Sequence, residues 1–190
     1  MLFRSVLGGF PVTIREGIEV KMSKRSGNAY TIEDLIDEVG YAAAAFYFLE
    51  KPPNTHFNFD LDKAKAQSMD NPVYYVEYAA VRVKSLLAKY GRRLGKPQWD
   101  ILKEKEEMIL AKKLGEYPDI LREVALNLEI NHLITYLKEL AATYHNFYNN
   151  CQILTSSEPV KSSRLALSAN TLKVLEHGLG LMGIVVPEKM

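Results

Sequence analysis

Lys21 and Lys24 stand on either side of Met22-Ser23, with Arg25 next and Ser26-Gly27-Asn28 beyond. A lysine ammonium is a compact point charge with three donors. Aimed at a phosphate whose charge grows in a transition state, it stabilises that state more than the ground state. Gly27 gives such a loop the freedom to close and reopen. Composition alone favours a plainer reading, a solvated turn. Against that, a Lys-Met-Ser-Lys tetrapeptide arises by chance in a chain of this length only about once in a thousand.

A second group lies further on. Tyr75, Tyr78 and Arg82 fall at i, i+3 and i+7, so a helix presents them on one face. Two aromatic rings beside a cation suit the stacking of splayed single-stranded bases. The competing reading is half-buried core with the hydroxyls outward. Lys89, Arg92, Arg93 and Lys96 form a basic cluster that is either solvated surface or a set of phosphate contacts. His145, near Phe147, reads as bundle core or rim.

The elements that carry these groups are legible from their punctuation. "VTIREGIEV", residues 12–20, alternates on both sides of Glu16-Gly17 and predicts a β-hairpin. In "TIEDLIDEVG" Thr31 is a helix cap, Asp34 sits at the third helical position and Gly40 terminates. Ala42 to Leu49 continues as a helix and ends at Pro52-Pro53, and "HFNFDLD" reads as an extended connector. Asn71 caps and Pro72 opens the helix bearing the tyrosines, with Val73, Val76, Ala80, Val83 and Leu87 as its apolar stripe and Gly91 as its end. "QWDILKEKEEMILAKKLG" predicts one amphipathic helix. Two more helices meet near Asn127–Asn131, and a last apolar helix runs through "RLALSANTLKVLEHGLGLMGI". The expected fold is mainly α, a helical bundle behind a short β-hairpin and lysine loop.

Bulk properties narrow the function. The chain has 190 residues, 47% hydrophobic and 25% charged, with a net charge of +1, so contact with nucleic acid needs a local patch. One cysteine, Cys151, permits no internal disulfide, which suits a reducing compartment. The four histidines have no metal-ligand spacing, so no metal is expected. No run approaches the ~20 apolar residues of a membrane span, and the first residues make a poor signal peptide.

Lys21-Met22-Ser23-Lys24 resembles the second signature of class I aminoacyl-tRNA synthetases. "SGNAYTIEDLIDEVG", "NTHFNFDLDKAKAQSMDNPVYYVEYAAVRV" and the last helix with its Pro-Glu-Lys-Met end resemble arginyl-tRNA synthetase, over about Val12 to Met190. The resemblance implies that residues 1–31 are a remnant of the catalytic domain, 32–68 junction helices and connector, and 69–190 an anticodon-binding bundle. It implies an arginine–tRNA ligase that uses ATP with Mg2+, arginine and tRNA(Arg), cytoplasmic and monomeric, with no cofactor expected on this piece. Lys24 would stabilise the adenylate phosphates, with Lys21 and Ser23 shaping the loop. Asn71, Tyr75, Tyr78, Arg82, Tyr148 and Met190 would contact tRNA.

The match has departures. The family's Asp-Ala-x-Arg falls on Ala42–Ala45, so Ala42 and Ala45 replace both charged members. Glu77 stands where Gln is usual and Ala80 where His is usual, and Glu77 adds negative charge beside the RNA face. No His-Ile-Gly-His signature occurs, so the chain by itself is expected to be inactive. Met1–Pro11 does not resemble the family, and Leu2–Ser5 matches a translated sequencing adapter, so an assembly truncated before Val6 is expected, with a divergent or cloned start as the alternative. A free-standing RNA-binding bundle, or the end of another class I synthetase such as the cysteinyl enzyme, are the alternatives.

Overall fold

The structure is a computed structural model and describes residues 12–15, 18–20, 31–52, 55 and 57–190. Lys21, Ser23 and Lys24 lie outside the described residues. The expected hairpin is present: β1 (Val12–Arg15) pairs antiparallel with β2 (Ile18–Val20), Thr13 facing Val20. The connector adds a third strand. β3 (Asn58–Asp60) runs parallel to β1, so the sheet order is β2-β1-β3. Its central residue, Phe59, is fully buried and packs on Tyr47 and Phe48.

α1 (Ile32–Val39) starts with a reciprocal capping box. The Thr31 hydroxyl accepts from the Asp34 amide at 3.1 Å, and the Asp34 carboxylate accepts from the Thr31 amide at 2.7 Å. Those hydrogen bonds hold the Asp34 carboxyl below its ordinary range. α2 (Tyr41–Glu50) and the short α3 (Leu61–Lys65) follow. α4 (Pro72–Tyr90) opens on a proline and closes on Gly91, whose φ of 63° is left-handed and free of strain only for glycine.

The predicted helix from Gln98 is broken in two. A single 3-10 turn spans Trp99–Ile101, Leu102 turns inward in an extended conformation, and α5 runs Lys105–Gly115. Glu104 and Glu107 form the box that starts α5, a signal hidden in a glutamate-rich run. α6 (Tyr117–Asn127) ends at Leu128, which takes a left-handed φ of 62°. α7 (Asn131–Asn150) and α8 (Val160–Gly180) complete the bundle, α8 beginning before Arg164.

α4, α7 and α8 pack on one another around Val76, Ala79, Ala80, Val83, Leu137, Leu140, Leu175 and Leu179. α7 and α8 approach closely at Gly178, where a Cβ would stand 2.7 Å from Leu137 Cδ2. The same core continues through Leu35, Phe46, Phe59 and Leu61, so the junction helices and the strand share the bundle's interior. Arg164 Nε on α8 donates at 2.6 Å to Glu107 Oε1 on α5, a carboxylate only 1% exposed. No helix among the described residues is long and apolar enough to cross a membrane.

Candidate nucleic-acid interface

The 3.6-residue repeat of α4 buries Val73, Val76, Ala80 and Val83 and leaves Tyr75, Tyr78 and Arg82 half-buried along its neighbouring edge. Arg82 is not a free cation. Its guanidinium carbon lies 4.7 Å from the Tyr78 ring centre and 4.9 Å from that of Tyr148, so α4 and α7 hold it between two rings. Nη2 donates to the Tyr78 hydroxyl at 2.9 Å, and Nη1 lies 3.2 Å from His145 Nδ1. Tyr78 in turn lies parallel to Tyr74, one turn earlier.

His145 is the hub that spacing alone does not show. It is buried, and its ring meets Tyr75 edge-on at 5.0 Å and Tyr78 at 5.6 Å. Burial, and then the charge of Arg82, push its pKa down to about 4, so it is neutral at pH 7. The contact with the guanidinium requires Nδ1 to be the acceptor, which leaves the proton on Nε2. The structure therefore brings Tyr75, Tyr78, Arg82 and Tyr148 into one face.

Asn71 and Met190 meet elsewhere. Asn71 occupies the cap position of α4 without capping it: its side-chain nitrogen donates instead to the Ala64 and Ala66 carbonyls, both at 2.9 Å. Those carbonyls are freed where α3 ends, and the amide turns back to satisfy them. Its Oδ1 is buried with no partner among the described residues. The residue lines an open cavity of about 400 Å³ together with Tyr74, Glu77, Ala42, Lys189 and Met190, though Oδ1 itself is shut off from solvent. Burial raises the Glu77 carboxyl to about 7.

The C-terminal segment is led there by two clamps. The Tyr41 hydroxyl donates to the Met182 carbonyl at 3.1 Å. Lys84 on α4 reaches the Val186 and Pro187 carbonyls at 3.4 and 3.5 Å and the Glu188 carboxylate at 2.7 Å. Of the basic cluster, Lys89 shares a cavity of about 280 Å³ with Tyr148, at the far end of the aromatic face. Arg92, Arg93 and Lys96 are exposed on the loop after α4. A face of aromatic rings with an ordered cation, and further cations at one end, can stack bases and hold phosphate.

Curated arginine–tRNA ligases from Geobacter metallireducens and Legionella pneumophila are 41% and 36% identical over 97% of this chain. The chain spans about a third of the length of these relatives. An arginyl-tRNA synthetase structure from Thermus thermophilus superposes with a TM-score of 0.78 at 25% identity, covering 94% of this chain and 34% of that one. A Campylobacter jejuni structure assigned to the same enzyme gives 0.87 at 27% identity, covering 97% and 40%. The profile of the DALR anticodon binding domain matches residues 76–190, which takes in α4 from Val76 onward and every later helix. With that match over more than half of its length, the chain belongs to the DALR anticodon-binding-domain family.

Proposed function

We propose that this chain is the C-terminal part of an arginine–tRNA ligase, and that its bundle holds the anticodon loop of tRNA(Arg). The observation that carries the reading is the ring–guanidinium–ring stack of Tyr78, Arg82 and Tyr148, set on helices that lie within the matched domain. Tyr75 and Tyr78 offer faces to unstacked bases. Asn71 and Met190 form a second contact in their shared cavity, and Lys89, Arg92, Arg93 and Lys96 meet phosphates. Residues 69–190 are the RNA-binding unit, 32–68 the junction, and 1–31 the edge of a catalytic domain. There Lys21, Ser23 and Lys24 would meet the phosphates of ATP and of the arginyl-adenylate, with Mg2+ as the metal partner of the nucleotide. The enzyme is a cytoplasmic monomer on this reading. The chain by itself makes no arginyl-adenylate, because one lysine loop cannot position ATP and arginine together.

The test is a titration of cognate and anticodon-swapped stem-loops at two salt concentrations. Tyr78→Ala should weaken cognate binding by about tenfold, since a base–aromatic stack is worth roughly 1–3 kcal/mol. Changing Lys89, Arg92 and Arg93 to Ala should weaken both loops alike and flatten the salt dependence. Unchanged affinity in Tyr78→Ala, with the fold intact, would refute the reading.

A further inference from the structure

We infer that His145 is the positioning residue of the aromatic face: its neutral imidazole anchors Arg82 between Tyr78 and Tyr148 and so sets the face in its binding shape before RNA arrives. This deepens the function proposed above and rests on it for its RNA readout alone.

Burying an imidazole has a cost. His145 is buried, and apart from the Arg82 contact its ring has only a weak hydrogen bond with the Tyr75 backbone. An imidazole so weakly served on one side is a poor core filler, and a leucine would pack there without burying a polar ring. The ring's return comes through its other nitrogen. Nδ1 lies 3.2 Å from Arg82 Nη1, and Arg82 Nη2 donates to Tyr78 at the same time. Two acceptors at two corners fix the guanidinium plane, which two point contacts do for a planar fork and one does not. The guanidinium carbon then lies 4.7 and 4.9 Å from ring centres on α4 and α7.

The surroundings keep the imidazole neutral. Tyr75, Tyr78 and Arg82 face it from α4, and Tyr144 from its own helix. Arg82 is the cation among them, and a second positive charge at His145 would turn acceptor into competing donor and repel it. A face held in advance loses less freedom on binding than one ordered by the ligand, so the histidine acts on RNA affinity without touching RNA.

The experiment uses the whole 190-residue chain and two variants. His145→Leu keeps the bulk and removes the acceptor. His145→Asn puts an amide oxygen at the same bond distance from the backbone as Nδ1. Two readouts are taken: the side-chain NMR signal of Arg82, and affinity for the cognate anticodon stem-loop. The Arg82 signal should be sharp and slowly exchanging in the parent and in His145→Asn, and averaged toward free arginine in His145→Leu. Affinity should fall about tenfold or more in His145→Leu with the melting temperature kept, and His145→Asn should restore most of it. An Arg82 signal unmoved by His145→Leu would overturn the proposal. So would a loss of affinity that Asn fails to restore while Arg82 stays ordered. A parent chain that binds no stem-loop would sink the RNA reading, and the Arg82 signal would still decide the role of His145.

Discussion

The ammonium of Lys84 lies 2.7 Å from the carboxylate of Glu188 and 3.3 Å from that of Glu176, bridging α4, α8 and the segment that carries Met190. The two acids, Glu188 foremost, raise the Lys84 pKa. Such exposed pairs contribute little to stability, typically about 0–1 kcal/mol. Their value here is placement. Lys84→Met should therefore leave the melting temperature within a few degrees of the parent, yet weaken stem-loop binding several-fold by releasing Met190 from its cavity. Comparison of thermal unfolding with the titration checks this, and equal affinity in the two proteins would show that the tail's position is immaterial.

Glu77 sets a pH dependence. Its folded pKa of about 7 stands above the ordinary carboxylate value, so the folded state holds this proton more tightly than the unfolded chain. The cost of the buried charge is fully present above pH 7 and is relieved as pH falls toward the unfolded pKa. Glu77→Gln should stabilise the protein by about 1 kcal/mol at pH 8, allowing for partial exposure, and by almost nothing at pH 5. Urea unfolding at the two pH values reads the difference. A constant offset between the proteins would assign the effect to packing.

Glu107 and Arg164 give the largest expected loss. The carboxylate also accepts from the Glu104 amide, while Arg164 donates to the Gln152 carbonyl at 2.6 Å. Glu107→Ala leaves the guanidinium half-paired in a buried place and should cost about 3–5 kcal/mol. Replacing both residues by apolar ones of similar size should cost much less. Denaturant midpoints of the single and double variants check the asymmetry.

Leu128 takes a left-handed conformation at the end of α6 with its side chain 42% exposed. Glycine suits that position, and the lost apolar contact is small. Leu128→Gly should raise stability by about 0.5–1 kcal/mol. A lower melting temperature would mean that the contacts of Leu128 outweigh its backbone strain.

What was legible in the sequence followed from locality. The hairpin, the Thr31 cap with Asp34 and the limits of α4 depend on residues a few positions apart, and the structure agrees with each. So was the shared face of Tyr75, Tyr78 and Arg82, which helical geometry dictates. Tyr148 came only through resemblance, because its partner Arg82 lies on another helix. His145 reads from sequence as core or rim, and it is buried, but its contact with Arg82 lies 63 residues away in the chain and no spacing shows it. Trp99–Leu102 misled because apolar spacing ran on through a turn that burial of Leu102 had broken. Asn71 fell where a cap belongs, and its amide was diverted by carbonyls that no spacing rule announces.

The strand that closes the sheet has a mechanical consequence. β3 pairs with β1, β1 with β2, and β2 ends at Val20, the residue before the lysine loop. Phe59 roots that sheet in the interior that α2 and α4 share. Strand pairing therefore ties Val20, the last residue of β2, to the interior beneath the aromatic face. On the function proposed above, a load taken up at that face is carried to Val20 by paired backbone, three strands in series.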